Sequence, residues 1–173
     1  MDDEIPDPEA SGLEPRPPLE EDLAALCRRL NELGARYVVV GGFAIIHAGY
    51  SRMTGDIDLL VDVSLENEAK VYAALEALPD KAVLELDPGD VAKYIVCRVA
   101  DDVMVDLMGS ACGIEYAEAA QHVVTREVQG VPIPFASPVL LWRMKRHTHR
   151  EKDRPDLLFL RQLLEAQGIA LPK

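Results

Sequence analysis

Aromatic residues are scarce: Phe, Trp and Tyr together make up 5% of the chain. A surface that stacks single-stranded bases needs several aromatic faces, so that class of binder is not supported. No apolar run approaches the roughly 20 residues that a membrane-spanning helix needs. Cysteine is limited to Cys27, Cys97 and Cys112, an odd number without metal-ligand spacing. Small buried thiols in a reducing compartment are expected. Internal repeats are absent. Net positive charge is absent too; the formal net charge is −12, which argues against non-specific nucleic-acid binding by the molecule as a whole. The N-terminus is acidic and proline-rich, unlike a signal peptide, so a cytoplasmic protein is expected.

The charge is unevenly spread. Residues 1–22 hold nine acidic side chains against Arg16 alone, and so carry −8 of the −12. Few apolar residues accompany them, and residues 1–18 are expected to form a disordered acidic tail. Residues 142–161 are the opposite, with seven basic side chains against three acidic ones. The remaining composition, 49% hydrophobic over 173 residues, supports one domain with an appended helical piece.

The chemistry concentrates between Arg36 and Val63. Tyr37-Val38-Val39-Val40 reads as a buried strand, and Gly41-Gly42 follows at once. A short helical pattern, Phe43 to Ala48, comes next. A second strand then begins at Asp56-Ile57-Asp58-Leu59-Leu60-Val61. Side chains alternate across a strand, so Asp56 and Asp58 project from one face. Two neighbouring carboxylates repel each other unless a cation sits between them. An oxygen-only pair suits a hard cation such as Mg2+. A glycine pair at a strand-to-helix turn lets backbone N–H groups approach a phosphate, and a helix N-terminus favours negative charge. Metal carboxylates beside a phosphate cradle point to phosphoryl or nucleotidyl transfer.

The order Gly41-Gly42-Phe43-Ala44, then Arg52-x-Thr54-x-Asp56-Ile57-Asp58-Leu59, resembles the signature of the DNA-polymerase-β-type nucleotidyltransferase superfamily. It is most similar to the AbiEii-like nucleotidyltransferase toxins and their bacterial relatives. The signature covers about one sixth of the chain. The resemblance implies an α/β (α+β) nucleotidyltransferase fold: a mixed, mostly antiparallel sheet with packed helices and C-terminal helices. It divides the chain into the tail (1–18), a nucleotidyltransferase core (19–136) and a C-terminal helical segment closing the cleft (137–173).

Other elements are read from pattern. Leu23, Leu26, Leu30 and Leu33 recur at helical spacing before Gly34. Ser64 caps a helix over 66–78. Strands are expected over 83–86, 94–99 and 103–108, a helix over 114–121, and a hairpin over 122–134 whose prolines suggest a sheet edge. Ser137 and Pro138 open a further helix, and Pro155 to Gln167 forms the last one. Asp101 and Asp102 read as turn residues.

Asp106 sits among apolar residues on a strand, where a core position avoids charge. By the resemblance it is the third metal ligand and the base on the attacking hydroxyl; a strand-end carboxylate facing water is the plainer alternative. Arg52 either neutralises the carboxylates or holds a phosphate, with a surface arginine as the rival. Thr54 belongs to the nucleotide-binding signature. In the basic segment the resemblance gives Lys145 contact with the nucleotide's phosphates, assisted by Lys152 or Arg150. Asp153 and Asp156 are either first-turn helix carboxylates or functional groups. His147-x-His149 lacks a spaced Cys or Glu partner for zinc. His47 either lines the pocket or faces solvent.

The resemblance thus implies a Mg2+-dependent enzyme, with one or two ions, that moves a nucleoside monophosphate from a nucleoside triphosphate such as ATP to a hydroxyl acceptor. An RNA end is the first acceptor considered, with a toxin–antitoxin role and an antitoxin partner. A small molecule, a protein hydroxyl, or a non-catalytic nucleotide- or partner-binding module of the same fold are the alternatives.

Overall fold

The computed structural model describes residues 14–172. Most of the expected disordered tail lies outside the described residues. Within 14–18, the Arg16 guanidinium reaches Asp22 at 2.6 Å and Asp102 at 3.0 Å, and the Arg16 amide donates to the Asp102 carbonyl at 3.0 Å.

Helix α1 (Glu20–Glu32) buries Leu23, Ala24, Leu26, Cys27 and Leu30, the face its spacing predicts. Asp22 accepts from the Leu19 amide at 2.7 Å and so caps its start. Strand β1 (Tyr37–Val40) is buried along its whole length, because both faces of this part of the sheet are covered. Helix α2 (Gly41–His47) starts without a spacer and returns the chain to β2 (Asp56–Val61), which runs antiparallel to β1. Helix α3 (Leu65–Leu75) begins at Ser64, whose hydroxyl accepts from the Asn67 amide at 3.2 Å.

The next stretch departs from expectation. Residues 83–86 are not a strand: Ala82–Glu85 is a 3₁₀ turn. The reason is local. The buried Asp101 carboxylate accepts from the amides of Asp80 and Ala82, which fixes the chain in a turn that the short apolar run alone does not reveal. A one-turn helix, α4 (Asp90–Lys93), follows, with the buried Glu68 accepting from the Gly89 and Val91 amides. Strand β3 is confined to Cys97–Ala100, and Tyr94, Ile95 and Val96 ahead of it are exposed.

Strand β4 (Met104–Met108) runs parallel to β2 and antiparallel to β3. The helix expected over 114–121 is shorter than predicted. A two-residue β5 (Ser110–Ala111) pairs with β6 (Ile114–Glu115), and only then does α5 (Tyr116–Ala119) form. The hairpin is as predicted: β7 (Val123–Val128) and β8 (Val131–Ala136) flank Gln129-Gly130. Both turn residues have positive φ, +50° and +80°, as a primed two-residue turn requires.

The edge, however, is β7. The order β3-β4-β2-β1-β8-β7 places β8 inside the sheet. Pro132 and Pro134 face Glu127 and Thr125 across the hairpin, at alternate register positions, and β8 meets β1 at the single pair Val39–Phe135. An interior strand tolerates two prolines where its second ladder is this short. Three antiparallel and two parallel neighbour pairs make the sheet mixed and mostly antiparallel.

Helix α6 (Pro138–Lys145) starts at Ser137 as predicted, and α7 (Arg154–Ala166) packs against it. The chain end is fastened to α6, with Trp142 Nε1 donating to the Pro172 carbonyl at 3.3 Å and Arg146 Nη1 at 2.6 Å. Among the described residues, no helix is long and apolar enough to cross a membrane.

One buried side chain ties the entry of β1 to the exit of β2. Asn67 is 1% exposed. Its Oδ1 accepts from the Arg36 amide at 2.7 Å, and its Nδ2 donates to the Arg36 and Asp62 carbonyls at 3.0 and 2.8 Å. Asn67→Ala removes three bonds and leaves the Arg36 amide and the Asp62 carbonyl without these partners. It is expected to lower the unfolding free energy by about 2–4 kcal/mol, read from the midpoint of a urea titration. A loss under about 0.5 kcal/mol, the size of a neutral surface change, would contradict this account of the clamp.

Candidate active site

The register of the sheet builds the site. Asp58 on β2 stands level with Asp106 on the parallel strand β4, and Asp106 stands level with Arg98 on β3. Side chains paired in register share a face. Asp56, two residues before Asp58, shares it as well. One ligand oxygen from each of Asp56, Asp58 and Asp106 lies within 4.8 Å of the others. Among the described residues, no other group of three or more His, Cys, Asp or Glu side chains is close enough to share an ion. The structure therefore brings together the two adjacent aspartates and the third, and Asp106 does not face water: it is 5% exposed.

Three carboxylates in partial burial disfavour full ionisation. Burial, then the charges of Asp56 and Asp106, push the Asp58 carboxyl up to about 7. Burial and the Asp106 charge also raise Asp56. The donor set is all carboxylate oxygen, which fits a hard divalent cation.

Gly41 and Gly42 abut this cluster. At Gly41, φ is +66°, and an added Cβ would collide with the Asp58 carboxylate, 2.8 Å from its Cγ. At Gly42 an added Cβ would lie 2.6 Å from Thr54 Cβ. Such distances are not sterically allowed, so the missing side chains make room for the site's own residues. Thr54 in turn donates through Oγ1 to the Asp56 carbonyl at 3.2 Å.

Arg52 and Lys145 share a carboxylate from the last helix. Asp156 is 2% exposed. It accepts from Arg52 Nη2 at 2.9 Å and lies 3.3 Å from Lys145 Nζ. Asp153, also buried, accepts from Lys145 Nζ at 3.0 Å, Thr148 Oγ1 at 2.7 Å and Arg150 Nε at 2.7 Å. Burial alone would raise Asp153, but these three donors outweigh it and hold it at about 2. Asp153 and Asp156 thus anchor cations; Asp153 precedes α7 but makes no cap bond to it.

The basic segment is less available than its charge suggests. Arg143 pairs with Glu118 at 2.6 Å, Arg154 with Glu151 at 3.4 Å, and Arg161 lies over the Trp142 ring. Lys152 is exposed on the 3₁₀ turn Glu151–Asp153 and makes no ion pair among the described residues. The structure does not draw it into the aspartate cluster. His47 neither lines that cluster nor faces solvent. It stacks on Phe135, ring centroids 4.4 Å apart, and lies 3.0 Å from Glu20.

Arg98 is the site residue that sequence reasoning missed. Its Nε and Nη2 donate to the two oxygens of Asp106 at 2.9 and 3.0 Å. A signal existed: two strands joined by the three-residue turn at 101–103 pair by counting outward, and the count sets 98 opposite 106. A recess of about 370 Å³ lies elsewhere, between Val61–Val63 at the far end of β2 and Tyr116. None of the aspartates of the cluster lines it.

No protein-family model matches the chain, and no curated protein matches it. Solved structures do. An antigenic nucleotidyltransferase-like protein from Paracoccidioides brasiliensis superposes with a TM-score of 0.52 at 17% identity, over 85% of this chain and 76% of its own. A protein from Thermotoga maritima, provisionally titled a nucleotidyltransferase, covers 86% of this chain and 88% of its own at 17% identity, with a TM-score of 0.47 too low to add to the argument. The fold is nucleotidyltransferase-like, as the sequence resemblance implies.

The raised Asp58 carboxyl has a consequence for stability. Its proton is held in the folded state up to about pH 7 but released near pH 4 in the unfolded chain. The folded state therefore binds the extra proton between those values, and metal-free stability falls as pH rises across them, by at most about 1.4 kcal/mol per pH unit from this group. Asp58→Asn mimics the protonated form. In chelator, the variant is expected to melt above the wild type at pH 7.5 and together with it near pH 4.5. A variant less stable than wild type at pH 7.5 would contradict the assigned strain.

Proposed function

We propose that this protein is a Mg2+-dependent nucleotidyltransferase that moves a nucleoside monophosphate from a nucleoside triphosphate to a hydroxyl acceptor. The observation that carries the reading is the convergence of Asp56, Asp58 and Asp106 on one point, directly beside the Gly41-Gly42 turn. No simple structural need explains three carboxylates within 4.8 Å on a sheet face with so few cations against them.

Asp56, Asp58 and Asp106 would hold the ion, which supplies Lewis-acid stabilisation of the phosphate oxygens when bound. Gly41 and Gly42 present their amides at the start of α2 to the triphosphate. Arg52 and Lys145, held at fixed separation by Asp156, flank that position and offset the charge of the leaving pyrophosphate. Asp106 takes the proton of the acceptor hydroxyl. The C-terminal segment, by contributing Lys145, Asp153 and Asp156, closes one side of the cleft.

An RNA end is the acceptor this reading favours. The basic segment supports a short contact and not a long footprint, because most of its cations are already paired with carboxylates.

The test is transfer of label from α-³²P nucleoside triphosphates, with Mg2+, to separate pools of transfer RNA, cell protein and small metabolites. One pool is expected to take label. Asp56→Asn, Asp58→Asn and Asp106→Asn are each expected to reduce transfer more than about 100-fold, the scale on which losing a metal-site contact acts. Label in no pool, or transfer that survives all three changes, would overturn the reading.

A further inference from the structure

Among the described residues, Arg98 is the cation in direct contact with the aspartate cluster. Its guanidinium takes both oxygens of Asp106, at 2.9 and 3.0 Å, and its Nη2 also comes within 3.9 Å of Asp56 Oδ2. The two partners differ sharply in freedom. The Asp106 side chain is 7% exposed and fixed in the interior strand β4. The Arg98 side chain is 60% exposed on the edge strand β3, with solvent to move into. All the ion pairs Arg98 makes among the described residues are to the cluster itself.

Resting on the nucleotidyltransferase reading above, we propose that Arg98 is the resident counter-cation of the three aspartates, and that a divalent ion enters by displacing it from Asp106. A guanidinium and a divalent ion on one carboxylate repel each other at close range. The mobile one leaves, since a partly exposed pair holds it by little. Metal binding is then an exchange and not a simple addition. A free ion meets a site already partly neutralised, and binds weakly. An ion that arrives with a nucleoside triphosphate brings phosphate oxygens, and the displaced planar guanidinium finds a new anionic partner at the mouth of the site. The exchange couples metal and nucleotide entry and keeps the cluster from holding an idle ion.

The rival role for Arg98 is a fixed prop that orients Asp106 for the metal. The two roles predict opposite signs. Removing a competitor tightens the ion, and removing a prop loosens it. The Arg98 side chain is 60% exposed and fills no core space, so Arg98→Ala is expected to fold.

The test is isothermal titration of the full chain with Mn2+ at pH 7.5, without nucleotide, for wild type, Arg98→Ala and Asp58→Asn, with circular dichroism to confirm folding. Arg98→Ala is expected to bind Mn2+ about fivefold tighter than wild type, the worth of one partly exposed charge pair. Asp58→Asn is expected to lose binding. Equal or weaker binding by Arg98→Ala, with measurable binding by wild type, overturns the displacement and leaves the transferase reading intact. Folded wild type and Arg98→Ala that both fail to bind Mn2+ overturn both.

Discussion

Holding Asp56, Asp58 and Asp106 within 4.8 Å of one another costs free energy, and the rest of the fold is arranged around that cost. Like charges at this range repel even in water, and more so where burial lowers the dielectric. The repulsion is imposed by geometry that the chain cannot relax. β2 and β4 are neighbouring strands in the middle of a six-stranded sheet, locked in register over five residue pairs by an apolar core that includes Ile57, Leu59, Leu60, Val105 and Leu107. Packing energy thus keeps the carboxylates where electrostatics alone would separate them, as expected of a site shaped for a ligand.

The placement of cations follows from this. Arg98 relieves Asp106 from the edge of the sheet. Lys145 and Arg52, which could have been drawn onto Asp56 and Asp58, are instead claimed by Asp153 and Asp156. Those two acids keep the interior cations beside the cluster without letting them fill it. A buried carboxylate with a cation on either side is stable only while both remain, so the loop before β2 and the last two helices are tied through Asp156 to one arrangement. The glycines complete the enclosure by leaving space for Asp58 and Thr54 at the turn.

Much of this was legible in the residues. Alternation along β2 put Asp56 and Asp58 on one face, and an acid inside an apolar strand marked Asp106. The turn residues Gln129-Gly130, the Ser137-Pro138 helix start and the amphipathic face of α1 rest on local chemistry, and all three form as read. The errors have a shared cause. Residues 83–86 and 114–121 suit more than one state, and partners outside each segment decide between them: Asp101 holds the 80–85 turn, and pairing with β5 takes Ile114 and Glu115 out of the helix. Charge has the same difficulty. The basic run at 143–154 reads as an open patch, but its pairing with Glu118, Asp153 and Asp156 becomes visible only once the chain is folded. Arg98 was missed because its meaning comes from a cross-strand partner eight residues away.

The central claim is that the three carboxylates form a single ion site. The most direct measurement is the anomalous difference map of a crystal grown with Mn2+ and a non-hydrolysable nucleoside triphosphate. The account predicts a peak in bonding contact with one oxygen each of Asp56, Asp58 and Asp106, with phosphate density against Gly41 and Gly42. A map with nucleotide bound elsewhere and no peak between the aspartates would contradict it.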